Sequence, residues 1–204
     1  MTHACMLTLS CPNQPGIVAR VTAGLYRHGG DISEAHQFDD VETDRFFMRI
    51  VATLPSEEEA ERFRADFRHI AEELSLDWAL RPRSVQHRVL ILASKFDHCL
   101  VDLLYRNRIG ELNMNVVGIV SNHPRETYAG IDFGPIPFHH LPISRDSKPA
   151  QEAQIKRIVG ETGAELVVLA RYMQILSDDL AAFLAGRCIN IHHSFLPGFK
   201  GAKP

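Results

Sequence analysis

The chain has 204 residues, of which 45% are hydrophobic and 23% are charged, and its formal net charge is −3. These values are ordinary for a globular protein of one large or two small domains, and they do not suggest binding to nucleic acid or to a membrane surface. The four cysteines form no C-x-x-C pair, which favours free thiols over a disulfide framework or a zinc site. Neither a signal peptide nor an apolar run of ~20 residues is recognisable. We therefore expect a cytoplasmic protein.

Residues 1–82 predict a small domain in which strands and helices alternate. Helices are expected over residues 17–28 and 57–74, and Ser56 followed three residues later by Glu59 is typical of a capping box at the start of the second helix. Strands are expected over residues 4–10, 32–38, 46–54 and 76–80. The resulting order, βαββαβ, is that of a ferredoxin-like sandwich.

Residues 86–204 predict a second domain after a short polar joint. Its first expected strand, residues 88–93, is almost wholly apolar, as is usual for a parallel strand covered on both faces. The further expected strands are residues 114–120, 137–141, 166–170 and a last one that carries Asn190 and His192. The expected helices are residues 99–106, 148–161 and 177–184. This alternation predicts a Rossmann-like, mostly parallel sheet with helices on both faces.

A cluster of polar side chains stands at the end of the last strand. Residues two apart on a strand share a face, so Asn190, His192 and Ser194 are expected to point one way and His193 the other. In open α/β sheets, ligands bind at the carboxyl ends of the strands. The cluster is therefore a candidate site, although a solvated strand end with incidental polar residues would have the same spacing.

These residues resemble a motif of the formyltransferase family, whose members use 10-formyltetrahydrofolate. The motif is Asn190-Ile191-His192, followed by Ser194 and Leu196-Pro197, and the resemblance extends over residues 86–204. It implies a formyltransferase-type folate-binding catalytic domain in which Asn190 and His192 are catalytic.

A second matching segment, residues 169–176, resembles the family's loop around the pterin ring. That loop binds the ring mostly through backbone amides and carbonyls. The resemblance implies that the folate is bound by Arg171, Tyr172, Met173, Gln174, Ile175 and Leu176.

The chain is most similar to the branch of the family that hydrolyses 10-formyltetrahydrofolate. Members that formylate a phosphorylated amine carry a glycine-rich loop after their first strand, whereas residues 93–100 contain no glycine and place the bulky Phe96 there. Residues 137–142 also resemble the hydrolytic branch, and His139 and His140 are expected to line its water pocket. Residues 1–82 resemble an ACT domain, and the pairing of these two domains is the layout of that branch.

The resemblance implies a mechanism that suits these side chains. The Asn190 amide would donate to the tetrahedral oxyanion, and His192 would protonate the folate nitrogen or stabilise the oxyanion. The family's catalytic Asp lies a few dozen residues beyond the His, so it is expected beyond residue 204, with the last strands of the sheet. We therefore expect the chain as given to be a C-terminally truncated and inactive piece. No metal or redox cofactor is implied, because the folate is the substrate.

The resemblance to ACT domains implies homo-oligomers and an amino-acid effector, although a domain that only dimerises, through helix or sheet-edge contacts, is the open alternative. The candidate effector residues are Asn13, Gly16, Ile17, Gly30 and Asp31. The physiological role implied is the supply of formate for purine synthesis and the balance of one-carbon folate pools. Two alternatives stay open: a formyltransferase to an amine acceptor, and a non-catalytic protein that senses amino acids or folates.

Overall fold

A computed structural model describes residues 2–144 and 146–191 of the chain. The chain divides into two compact units between Val85 and Gln86. Within the described residues, no helix has the length and apolar character needed to cross a membrane.

The first unit has the predicted order of elements. These are β1 (His3–Pro12), α1 (Ile17–Arg27), β2 (Asp31–Asp40), β3 (Arg45–Leu54), α2 (Glu57–Leu74) and β4 (Asp77–Pro82). The strands form an antiparallel sheet in the order β2-β3-β1-β4. The predicted ferredoxin-like fold is thereby confirmed.

The ends of the helices in this unit follow from individual residues. The Ser56 side chain caps α2 by accepting a hydrogen bond from the backbone N–H of Glu59 at 3.1 Å. Ser75 ends the same helix in the left-handed conformation, with φ 53°. The inward side chains of β1 and β3 alternate with exposed ones and pack against both helices. A single apolar core results.

The second unit contains five strands and three α-helices within its described residues, 86–144 and 146–191. These are β5 (His87–Ala93), α3 (His98–Arg108), β6 (Met114–Ser121), β7 (Phe138–His140), α4 (Lys148–Thr162), β8 (Leu166–Ala170), α5 (Asp178–Phe183) and β9 (Cys188–Ile191), with a short 3₁₀ turn at Arg125–Tyr128. All pairings are parallel, in the order β7-β6-β5-β8-β9. The predicted parallel sheet is confirmed.

Both faces of this sheet are covered, as the apolar sequence of β5 predicts. Leu90 and Leu92 point to the core on the α4 and α5 side. Val89, Ile91 and Ala93 point to a second core on the side of Leu100, a residue of α3. Successive residues of one strand therefore belong to two different cores.

The order of the strands along the chain places a crevice at the carboxyl ends of two neighbouring strands. From the central strand β5 the chain goes to β6 and β7 on one side, then crosses to β8 and β9 on the other. The topological switch point therefore lies between β5 and β8, and their carboxyl ends are Ala93 and Ala170. Open α/β sheets bind their ligands at this position.

Candidate functional site

Asn190 stands on the edge strand beside the switch point. It pairs in register with Leu169 of β8, and its side chain is exposed. In-register residues of neighbouring strands share a face of the sheet, so the Asn190 amide lies on the face that carries α4 and α5. His192 and Ser194 lie outside the described residues, so their positions stay predictions.

The predicted folate segment begins one strand away from Asn190. Ala170 is the last residue of β8, and Arg171 to Leu176 follow it directly. The fold thus brings Asn190 and this segment together at the carboxyl ends of the adjacent strands β9 and β8. Of the predicted site residues of this unit that the structure describes, these are the ones that lie close together.

Arg171 has an unusual backbone conformation and a specific ring contact. Its φ is 53°, in the left-handed region that a side chain makes unfavourable. Its guanidinium carbon lies 4.3 Å from the centroid of the Phe96 ring, a cation–π contact. The Arg171 Nε is buried and has no hydrogen-bond partner among the described residues.

The contact between Arg171 and Phe96 joins the segment that follows β8 to the segment that follows β5. Phe96 is 53% exposed, so the pair stands at the surface and not in the core. A phosphate binds here in other α/β proteins because glycines allow the backbone to approach it closely. Residues 93–100 contain no glycine, and Phe96 carries a bulky ring in this segment.

Ser94, the first residue after β5, joins three parts of the site. Its hydroxyl accepts a hydrogen bond from the backbone N–H of Met173 at 3.1 Å and donates to Asn122 Oδ1 at 2.8 Å. Only 3% of the Ser94 surface is exposed. The predicted folate segment is therefore bonded to the end of the central strand.

Tyr128 holds the backbone of the same residue. Its hydroxyl donates to the Ser94 carbonyl at 2.6 Å and lies 2.7 Å from Ser121 Oγ. A phenol has one proton, so Ser121 must be the donor to Tyr128. Burial raises the pKa of Tyr128, and the nearby Asp97 carboxylate raises it further. The phenol thus stays the protonated donor that this direction of bonding requires.

Helix α4 holds the folate segment from the other side through Gln151. The Tyr172 hydroxyl donates to Gln151 Oε1 at 3.3 Å, and Gln151 Nε2 donates to the Leu141 carbonyl at 2.7 Å. Burial raises the pKa of Tyr172 to about 12, although the hydrogen bond to Gln151 opposes that rise. The Tyr172 ring is therefore a fixed, neutral part of the core.

Glu152, the next residue of α4, holds Ser177, the residue that follows this segment. Its Oε1 accepts a hydrogen bond from the Ser177 backbone N–H at 3.0 Å, and its Oε2 accepts one from the Ser177 hydroxyl. That hydroxyl also caps α5 by accepting from the Leu180 N–H at 3.2 Å. Glu152 is only 6% exposed, and its charge faces Lys148 Nζ at 4.0 Å.

The sequence analysis did not identify these supporting residues. Across the described ranges, the buried polar residues are Ser94, Ser121, Gln151 and Glu152. All of them bond to the segments at the carboxyl edge of this one sheet. The sequence did contain a signal that Gln151 and Glu152 are buried, because they lie at helical spacing on the buried face of α4.

The structure places His139 and His140 away from Asn190. They lie on β7, which is the opposite edge strand of the sheet from β9. Four strand spacings separate these edges, or roughly 19 Å. His139 Nε2 is buried next to Gly118 without a hydrogen-bond partner among the described residues, and His140 is exposed. Their contribution to the water pocket stays a prediction.

The candidate effector residues of the first unit fall into two groups. Asn13 and Gly16 precede α1, and the Asn13 amide donates to Asp39 Oδ1 at 2.9 Å. Gly30 and Asp31 follow the other end of this 11-residue helix, roughly 16 Å away.

The five candidate effector residues also differ in exposure. The Ile17 side chain is 2% exposed and belongs to the core, whereas Asp31 is exposed. A small ligand therefore cannot touch all five residues of one copy.

Comparisons with known proteins identify relatives of both units. The sequence profile of formyl transferases matches residues 87–204, and that of ACT domains matches residues 6–68. The formyltetrahydrofolate deformylase of Corynebacterium sp. (strain P-1) is 50% identical over 98% of this chain and 70% of its own length. That of Bacillus subtilis (strain 168) is 38% identical over 97% of this chain and 66% of its own length.

A solved structure has the same arrangement of elements. The crystal structure of formyltetrahydrofolate deformylase from Burkholderia mallei matches 98% of this chain and 70% of that one, with a TM-score of 0.79 and 47% sequence identity. The chain therefore spans about two thirds of the length of these relatives.

Proposed function

This chain belongs to the formyltetrahydrofolate deformylase family, and we propose that the protein expressed from its gene hydrolyses 10-formyltetrahydrofolate to formate and tetrahydrofolate. One observation carries the proposal. Asn190 and the segment from Arg171 to Leu176 lie on adjacent strands at the carboxyl edge of the parallel sheet. An amide donor thus stands beside the backbone that we propose binds the folate ring.

The proposed role of Asn190 is to stabilise the oxyanion. Water that adds to the formyl carbon converts its carbonyl oxygen into an alkoxide, and a donor fixed at that oxygen lowers the energy of the transition state. The exposed Asn190 side chain on β9 can donate two hydrogen bonds. Loss of one such donor typically lowers kcat by about 10²–10³.

The proposed role of His192 is to transfer protons. The leaving nitrogen must receive a proton when its bond to the formyl carbon breaks. An imidazole titrates near neutral pH, so it can supply that proton and recover it from water. The sequence alternation that places His192 on the face of Asn190 supports this role.

The Arg171 and Phe96 pair supports water, and not a phosphorylated amine, as the proposed acceptor. The segment after β5 carries the Phe96 ring of this pair and no glycine, whereas an acceptor phosphate would need close approach to the backbone there. Water needs no such site. An enzyme that used an amine acceptor would instead release formyl groups only when that amine was present.

A rate assay tests the proposal. The protein, expressed from its own gene, is given 10-formyltetrahydrofolate in water without any amine, and formate is measured. Formate release that exceeds the spontaneous rate is expected. Release only after addition of an amine would identify a transferase, and folate binding without turnover would identify a folate-sensing protein.

Further parts of the proposal concern the cell and the assembly. We propose a cytoplasmic enzyme that uses no cofactor, supplies formate for purine synthesis and balances one-carbon folate pools. The free cysteines suit that reducing compartment.

For the first unit we propose homo-oligomerisation and binding of an amino-acid effector. The separation of Gly16 from Asp31 within one copy supports a site built from two copies. Sedimentation equilibrium would measure the oligomeric state, and calorimetric titration with free amino acids would measure effector binding.

A further inference from the structure

The segment between β8 and α5, residues 171–177, has no helix or strand of its own. Its backbone groups therefore have no ladder of hydrogen bonds to fix their directions. In the function proposed above, those same groups bind the folate ring. Their conformation must then be fixed by bonds to neighbouring side chains.

Two acceptors provide these bonds at separate points of the segment. Ser94 Oγ accepts from the Met173 N–H at 3.1 Å, and Glu152 Oε1 accepts from the Ser177 N–H at 3.0 Å. Between Ala170 and the start of α5, the backbone is thus held near its middle and at its end.

Both acceptors are themselves immobilised. Ser94 is bonded through its hydroxyl to Asn122 and through its carbonyl to Tyr128. Glu152 lies in the middle of α4 and is 6% exposed, with Lys148 as the nearest cation. Buried polar groups with all partners in place have little freedom to turn.

The backbone of Arg171, the first residue of the segment, is strained, and these bonds oppose its relaxation. Arg171 has a φ of 53°, a conformation that a residue other than glycine keeps only where its surroundings determine it strongly. Strand β8 fixes the backbone before Arg171, and the bonds to Met173 and Ser177 fix the backbone after it. They are therefore suited to keeping the segment in its strained form.

We propose that Ser94 and Glu152 are positioning residues, which hold residues 171–177 in the folate-binding conformation before the folate arrives. This inference rests on the proposed function, because it assigns the segment to the folate. It adds that the site is preformed by buried residues that do not touch the substrate. Such preorganisation lowers the entropic cost of binding.

The test uses four variants of the protein expressed from its own gene. Ser94→Ala and Glu152→Ala each remove one acceptor. Glu152→Gln keeps the oxygen that accepts from the Ser177 N–H. Glu161→Ala is the matched control, because Glu161 is an exposed residue of the same helix whose contact is with Arg157.

Two quantities are measured for each variant. The first is the hydrogen exchange rate of the Met173 and Ser177 amides without ligand, and the second is the Kd for tetrahydrofolate. We expect the Ala variants at positions 94 and 152 to exchange faster and to bind on the order of 10- to 100-fold more weakly. The Gln variant should recover most of both properties, and the control should match the unchanged protein.

The possible failures can be told apart. Faster exchange with an unchanged Kd would overturn the positioning role, and so would unchanged exchange. If the unchanged protein bound no tetrahydrofolate while its Met173 and Ser177 amides were protected, the proposed function would fail instead. Should Ser94→Ala not fold, the comparison of the two Glu152 variants decides the matter.

Discussion

The hydroxyl of Ser94 accepts a hydrogen bond from the backbone of Met173, a residue 79 positions later in the chain. This bond ties the end of the central strand β5 to the segment that follows its neighbour β8. The topological switch point is therefore closed by a specific contact, in addition to the general packing of the two strands. The candidate site is built around it.

The proposed oxyanion donor gives a prediction for activity. Asn190→Ala should lower kcat for formate release by about 10²–10³, because the alkoxide would lose a fixed donor. Steady-state kinetics with 10-formyltetrahydrofolate measures this effect. Asn115→Ala is the matched control, since Asn115 is an exposed amide on β6 near the opposite edge of the sheet. A loss of equal size in both variants would show that the effect does not belong to the site.

The strained backbone at Arg171 gives a prediction for stability. Arg171→Ala and Arg171→Gly both remove the contact with Phe96. Only glycine relieves the left-handed φ of 53°. The free energy of unfolding of the Gly variant should therefore be about 1 kcal/mol larger than that of the Ala variant. Urea denaturation of the two variants measures this difference, and equal stabilities would argue against strain at this residue.

Helix α2 offers a similar test in the first unit. Ser75 ends the helix with φ 53°, so Ser75→Gly should raise the free energy of unfolding of this unit by about 0.5–1 kcal/mol. Ser56→Ala should lower it by ~1 kcal/mol, because the Glu59 N–H would lose its acceptor. Thermal unfolding of both variants checks the two signs. A stabilising Ser56→Ala would contradict the capping geometry.

The buried phenol of Tyr172 predicts a dependence on pH. Its pKa is about 12 in the folded protein, chiefly because of burial, against ~10 in the unfolded chain. A raised folded-state pKa means that the stabilisation is complete below pH ~10 and is lost as the pH rises to about 12.

Absorbance titration of tyrosinate against pH checks this value. The difference between the unchanged protein and Tyr172→Phe should show a phenol that ionises near pH 12. A difference curve with its midpoint near ~10 would place Tyr172 in contact with water instead.

The order of elements could be predicted from the sequence because each pattern is local. The apolar run of β5 and the Ser56 cap both depend on neighbours a few residues away. The support of the folate segment could not be predicted in this way. Its bonds join Ser94 to Met173 and Glu152 to Ser177, and such pairs meet only after the sheet has formed.

The candidate site could also be predicted from the sequence only in part. The polar spacing and the family motif identified Asn190 and the segment after β8, and the fold brings these together. The family resemblance also grouped His139 with them, as a residue on an expected strand near the site. The strand order, which local patterns do not reveal, places β7 at the far edge of the sheet.

The most direct test of the central claim is formate release in water by the protein expressed from its own gene, compared with its His192→Asn variant. We expect the unchanged protein to release formate from 10-formyltetrahydrofolate without any amine. The variant should lose this activity by about 10²-fold or more while it binds tetrahydrofolate with the same Kd. Release that required an amine, or a variant that kept its full rate, would contradict the account.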